Sequence, residues 1–241
     1  MEIDKLVKLI KNSKRTVFFG GAGVSTGSGL KDFRSKDGLY HEKYSYPPEE
    51  ILSHTFFINN TQEFYEFYQD KLNSLDYKPN ITHEVLALME NKHLLSSVIT
   101  QNIDGFHQRA GSKRVLELHG SVLRNHCMTC NKECDILDVF TSKGVPKCSC
   151  GGIIKPDVIL YEESLDEDIL KEAIQEISCC DLFIIGGTSL NVYPAAGLIR
   201  YFNGRNIVLI NKDVTPYDNI CNLIIHDDIC NVFKLIKKEI E

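Results

Sequence analysis

The chain has 241 residues, enough for one large domain or for one domain carrying a small insertion. Hydrophobic residues make up 43% and the net charge is −6, a balance that disfavours a general nucleic-acid binder. No apolar run approaches the roughly 20 residues of a membrane span, the N-terminal stretch MEIDKLVKLIKNSKR does not read as a signal peptide, and nine cysteines, an odd number, point to reduced thiols rather than a disulfide scaffold. A cytoplasmic protein is expected.

Ile3, Leu6, Val7 and Ile10 fall on one face at helical spacing and predict a first helix over 2–13. The apolar run 16–19 then reads as a strand and leads into GGAGVSTGSGLKDFRS. A strand, a glycine-rich turn and a helix start form a phosphate site when free N–H groups face the anion. Gly21 and Gly23 fit the dinucleotide fingerprint, but Thr26 stands where the third glycine belongs, and no acidic residue closes a second strand some 20 positions later. A glycine-rich connection without a ligand therefore stays open as the other reading. Asp32, Phe33 and Arg34 follow; the guanidinium can fork onto a phosphate or ribose oxygen.

Residues 41–83 read as helical and aromatic-rich, punctuated by Pro47, Pro48 and Pro79. Further strands are predicted at 95–99, 115–118, 182–186, 206–210 and 222–225, short and apolar on both faces as buried parallel strands are. Leu165, Ile169, Leu170, Ala173, Ile174 and Ile177 make one amphipathic set between them, and Ile229, Val232, Phe233, Ile236 and Ile240 make the last. Strands alternating with helices predict an α/β protein with a Rossmann-like, doubly wound parallel sheet, and the two segments that break this rhythm, one helical and one carrying clustered cysteines, are expected to form a smaller module. The expected division is a sheet domain over 1–40, 84–126 and 153–241, with insertions 41–83 and 127–152 forming the small module.

Cys127, Cys130, Cys148 and Cys150 give C-x₂-C, seventeen intervening residues and C-x-C. Four thiolates from two turns suit one tetrahedral zinc ion, and with all four positions filled the ion is structural. Cys134 is a spare candidate, and an iron–sulfur cluster is the minor alternative.

Three more stretches, TQNIDGFHQRAG (100–111), LELHGS (116–121) and GTSLNVYPAA (187–196), join the glycine loop in a combination that closely resembles the sirtuins, NAD-dependent protein deacylases, of the bacterial and archaeal type. The resemblance runs over almost the whole chain. It implies an NAD site built from Gly21, Ala22, Gly23, Ser25, Thr26, Asp32, Phe33, Arg34, Gln101, Asn102, Ile103 and Asp104. Gly187, Thr188, Ser189 and Asn211 would complete it, with Asp228 and Ile229 by the adenine. It implies His119 as general base on a ribose hydroxyl, with Asn102 beside it as a second catalytic residue, and nicotinamide, O-acyl-ADP-ribose and free lysine as products.

The segment KPDVILYEE matches the family's substrate-pairing stretch, so Val158, Ile159 and Tyr161 on one side and Asn191 and Val192 on the other would hold an acyl-lysine peptide as an added strand. Two positions depart from the family pattern. Tyr161-Glu162 replaces Phe-Gly, and Lys31 stands where relatives carry proline. Relatives that remove acidic acyl groups carry Tyr and Arg three residues apart; here Tyr65 matches the first but Tyr68 replaces the arginine, so uncharged acyl groups are expected, with Lys71 a weak substitute. The partners expected are acyl-lysine proteins or peptides, with no membrane and no specific nucleic acid, and the chain is expected to act as a monomer. A mono-ADP-ribosyltransferase and a non-catalytic zinc-bearing NAD sensor or nucleic-acid module are the competing readings.

Overall fold

In a computed structural model the described residues are 2–32, 38 and 46–241. Phe33 and Arg34 lie outside them. The chain runs α1 (Glu2–Asn12), β1 (Thr16–Gly20), α2 (Pro48–Ile51), α3 (His54–Asn59), α4 (Thr61–Lys71), α5 (Ile81–Asn91), β2 (Ser97–Thr100), α6 (Phe106–Arg109) and β3 (Val115–Glu117). It continues through β4 (Gly120–Cys127), β5 (Glu133–Cys134), α7 (Ile136–Phe140), β6 (Ile154–Val158), α8 (Glu167–Cys179), β7 (Leu182–Gly186), β8 (Asn206–Ile210), β9 (Leu223–Ile225) and α9 (Ile229–Ile240).

The main sheet has six strands in the order β3-β2-β1-β7-β8-β9, all pairs parallel. The expected doubly wound architecture is therefore present. Every residue of β1 and β7 is buried, as the unbroken apolar runs required. Alternate residues feed two cores: Phe18 and Ile184 pack with α1, α5 and α9, while Val17, Phe19 and Phe183 pack with α8. The strand order reverses between β1 and β7, which is where open α/β sheets bind ligands beyond their carboxyl ends.

A second sheet, β5-β4-β6, is antiparallel. No strand is predicted from sequence at 120–127, because a register shift between Ser121 and Asn125 breaks the two-residue alternation of β4. Pro156 is tolerated in β6 because that strand is at the sheet edge. This sheet shares a third core with α3 and α4, in which Phe56, Phe57, Phe64, Tyr65 and Tyr68 meet Val122, Ile154 and Val158. Helix α8 starts later than the amphipathic pattern suggests. Asp166 caps it by accepting from the N–H groups of Asp168 and Ile169, both at 2.9 Å, so Leu165 precedes the helix. Among the described residues no helix is long and apolar enough to cross a membrane.

The main core holds two histidines. His107 is 1% exposed and neither ring nitrogen has a hydrogen-bond partner; burial pushes its pKa down to about 4. His83, whose ring centroid lies 4.8 Å away, is lowered as well, by burial first and then by His107. Between pH 6.5 and about 4 the unfolded chain binds a proton at this position that the folded chain refuses, so stability falls as pH falls through that window. For His107 alone the loss is expected to be about 3 kcal/mol. Urea unfolding at neutral pH and at the acid end of this window checks it: His107→Leu should flatten the dependence, and an equally steep curve in that variant would refute the assignment.

Candidate active site

A cavity of about 600 Å³ opens beyond the carboxyl ends of β1, β2, β7 and β8 and continues to the end of β6. Its wall includes Ala22, Gly23, Ser25 and Asp32 from the loop after β1, and Gln101, Asn102, Ile103 and Asp104 from the loop after β2. His119, Gly187, Thr188, Ser189 and Asn211 also line it, as do Val158, Ile159, Tyr161, Asn191 and Val192. Gly21, Thr26, Asp228 and Ile229 are not part of the wall. Thr26 turns its hydroxyl to Gly23 O at 3.0 Å; Asp228 caps α9 and pairs with Lys212 at 2.8 Å; Ile229 is buried in the core.

The glycines of the first loop are required by a neighbouring loop. The N–H of Gly23 donates to Gly187 O at 2.8 Å, and a Cβ on Gly23 would sit 2.8 Å from that same oxygen. A Cβ on Gly21 would sit 2.8 Å from Thr188 Cβ. The two loops at the strand-order reversal thus touch backbone to backbone, which only glycine permits. Gln101 fastens the same junction, its Nε2 donating to Thr188 Oγ1 at 3.2 Å.

Three polar side chains form a relay across the floor. Asn102 Nδ2 donates to Ser25 Oγ at 3.1 Å, and Ser25 Oγ donates to Asp104 Oδ2 at 2.6 Å. Asp104 Oδ1 accepts from Phe106 N at 2.9 Å, starting α6. Burial raises the Asp104 pKa, offset by the hydrogen bonds from Ser25 and Phe106. The carboxylate retains acceptor capacity beyond these two bonds.

His119 follows β3. Its Nδ1 lies 2.8 Å from Gln101 O, and a carbonyl can only accept, so Nδ1 carries the proton and Nε2 the lone pair. Burial lowers the His119 pKa, opposed by that hydrogen bond, so the ring is a neutral base at neutral pH. The position depends on the next residue. Gly120 has φ +74°, and a Cβ there would overlap Asp157 O in the paired strand.

On the β6 side the backbone is unevenly used. Ile159 N donates to His119 O at 2.9 Å, Tyr161 N to Leu52 O at 2.9 Å, and His54 N to Tyr161 O at 3.0 Å. Among the described residues nothing hydrogen-bonds the backbone N–H or C=O of Glu162 or of Asn191, and both residues line the cavity. Sequence reasoning did not place Glu162 in the site; the only signal was its standing where glycine is usual. Its φ of +74° now gives the reason for that glycine.

The four expected metal ligands converge. Sγ atoms of Cys127, Cys130, Cys148 and Cys150 all lie within 4.8 Å of one another, with Cys127–Cys150 at 3.5 Å and Cys130–Cys148 at 3.8 Å. A tetrahedron with ~2.3 Å metal–sulfur arms has edges of about 3.8 Å, so the set fits one zinc ion. The short C-x-C turn closes because Gly151 is left-handed at φ +87° and Gly152 sits where a Cβ would be 2.6 Å from Cys127 Sγ. Cys134 stays outside the set, its Sγ directed to Lys132 O at 3.4 Å.

Comparison with known proteins agrees with this geometry. The sequence model of the Sir2 family matches residues 21–194. The chain is 54% identical over 239 residues to a protein of Clostridium acetobutylicum named NAD-dependent protein deacetylase, covering 98% of each. It is 55% identical over 235 residues to one so named from Clostridium perfringens, covering 96% of each. Among solved structures, a Sir2 variant with deacetylated p53 peptide and 3'-O-acetyl-ADP-ribose superposes with a TM-score of 0.91 at 39% identity, covering 99% of this chain and 98% of that one. Sir2 with p53 peptide and NAD⁺ superposes at 0.88 and 38% identity, with the same coverage.

Proposed function

This chain belongs to the Sir2 family, and on that premise we propose that it is an NAD-dependent protein-lysine deacetylase acting on acetyl-lysine peptides. The observation that carries the reading is His119: a neutral imidazole with its tautomer set by Gln101 O, on the wall of a cavity that the loops of four parallel strands also line. NAD, when bound, would supply the ribose carbon that accepts the acyl oxygen and releases nicotinamide; with water taken up to break the bond between the acyl carbon and the lysine nitrogen, O-acyl-ADP-ribose and free lysine would be the products. The residues that would hold it are Ala22, Gly23 and Ser25, with Gln101, Asn102, Ile103 and Asp104 around the nicotinamide end and Thr188, Ser189 and Asn211 toward the adenosine end. His119 Nε2 would take the proton of a ribose hydroxyl. Asn102, fixed by Ser25, would orient the reacting groups. Unpaired backbone at Glu162 and Asn191 would receive the peptide as a strand.

The division into an NAD-binding part over 1–40, 84–126 and 153–241 and a small module over 41–83 and 127–152 belongs to the same proposal. So does a cytoplasmic monomer, supported in its compartment by cysteines that fall into one metal-binding quartet and five further thiols rather than disulfide pairs.

Uncharged acyl groups are preferred in this reading. Tyr65 and Tyr68 are fully buried and do not line the cavity: Tyr65 donates its hydroxyl to Ile154 O, and Tyr68 stacks between Phe64 and Phe140. On that helix the cation that does reach the wall, Lys71, is paired with Asp70 at 2.9 Å. An acyl carboxylate would therefore find no partner in Tyr65 or Tyr68 and only an already paired lysine on this helix. Incubating the protein with acetyl- and succinyl-lysine versions of one peptide, with and without NAD, and weighing the products tests both points. NAD-dependent loss of the acetyl group, faster than loss of succinyl, is expected. A protein that becomes ADP-ribosylated while the peptide stays acetylated would favour the transferase reading.

A further inference from the structure

Glu162 occupies a backbone conformation that side chains rarely adopt, at the rim of the cavity. Its carboxylate is anchored there: Oε2 accepts the N–H of Thr55 at 2.9 Å, and those hydrogen bonds hold its pKa below the usual carboxylate range. Its neighbour Glu163 is paired with Lys155 at 3.4 Å and meets His54 Nδ1 at 2.9 Å. Among the described residues no cation lies within ion-pair distance of Glu162. The rim therefore presents an anchored, ionised carboxylate, with His54 as its nearest charge-bearing neighbour and no ion pair among the described residues, beside a backbone whose N–H and C=O are open to a peptide.

We propose that Glu162 is a specificity-determining residue: it favours acyl-lysine peptides with Lys or Arg beside the modified lysine over peptides with Asp or Glu there. The inference rests on the peptide-binding reading above. A strand added along this edge brings its side chains to within about 5–8 Å of residues on the strand it joins. A cation at that distance gains from the carboxylate and an anion is repelled. Exposed pairs of this kind are modest and screened by salt, so the preference is expected to reach about fivefold at low ionic strength.

The test uses two acetyl-lysine peptides that differ only in Lys or Glu next to the acetyl-lysine. Binding is read by fluorescence anisotropy and turnover by mass spectrometry, at low salt and at about 0.5 M salt. The Lys peptide should bind up to about fivefold more tightly at low salt, with the ratio shrinking at high salt. Glu162→Gln keeps an oxygen for Thr55 N–H but removes the charge, and should bring the ratio near one; Glu162→Lys should invert it. A ratio that ignores both substitutions, or that favours the Glu peptide in the unaltered protein, overturns the proposal. A charge preference in binding without any turnover would sink the deacetylase reading and leave Glu162 its role. Turnover without a preference would do the opposite.

Discussion

Replacing His119 by alanine is expected to lower kcat/KM for deacetylation by roughly 10²–10⁴-fold, the usual range for a lost general base. The ring does two jobs, and the experiment should separate them. Nδ1–H satisfies Gln101 O, while Nε2 is the base. Alanine removes both and leaves a carbonyl without its partner, at a cost of about 1–3 kcal/mol if it stays dry. His119→Asn can keep a donor toward Gln101 O without supplying a base. If stability returns in the asparagine variant while activity stays lost, the base is the catalytic part. The pH profile gives a second check. A general base works unprotonated, and burial lowers the His119 pKa below the ordinary 6.5. Activity should thus persist through 6.5 and fall only when the pH drops through the lowered value. An acid limb centred above 6.5, or a His119→Ala protein of full activity, would remove His119 from the mechanism.

Removing zinc is expected to have the largest effect on the fold. Cys127 and Cys148 are 1% and 8% exposed and belong to the same core as α3, α4 and β6. Metal bound by four thiolates in small domains carries on the order of 10–16 kcal/mol of apparent free energy, more than a module of this size can lose. The segment after β6, which forms one wall of the cavity, leans on that core through Val158 and Leu160. Elemental analysis should find one zinc per chain. Cys148→Ser, or prolonged chelation, should lower the melting temperature and abolish peptide binding together. A zinc-free protein with an unchanged melting curve and unchanged peptide affinity would show that the thiols hold nothing essential.

The antiparallel sheet shows where reading the chain stops working. β1, β7 and β8 are buried on both faces, and a run such as TVFFG or LFIIG has few other uses. β4 mixes Ser121, Arg124 and Asn125 with Val122, and its register shift destroys the period that would have marked it. The Tyr65–Tyr68 pair meets another limit. Three-residue spacing on a helix says that Tyr65 and Tyr68 share a face; it does not say whether that face meets a ligand or a core, and here it meets Phe64, Phe140 and Ile154.

Local pattern alone was enough for the six parallel strands, the first and last helices, the cysteine quartet and the presence of His119 at a strand end, because each depends on residues close in sequence. Tertiary structure decided the rest, because it depends on partners far along the chain. Ser25 meets Asp104 across 79 positions, and Gly23 needs its missing side chain because Gly187 lies against it. The nitrogen of His119 that stays free is set by the carbonyl of Gln101. Glu162 becomes a rim residue only because Leu52 and His54 take the backbone of Tyr161 and Thr55 takes its carboxylate. Hydrophobic periodicity carries which face is buried; it carries nothing about which buried polar groups satisfy one another, and the chemistry of this site resides in those pairings.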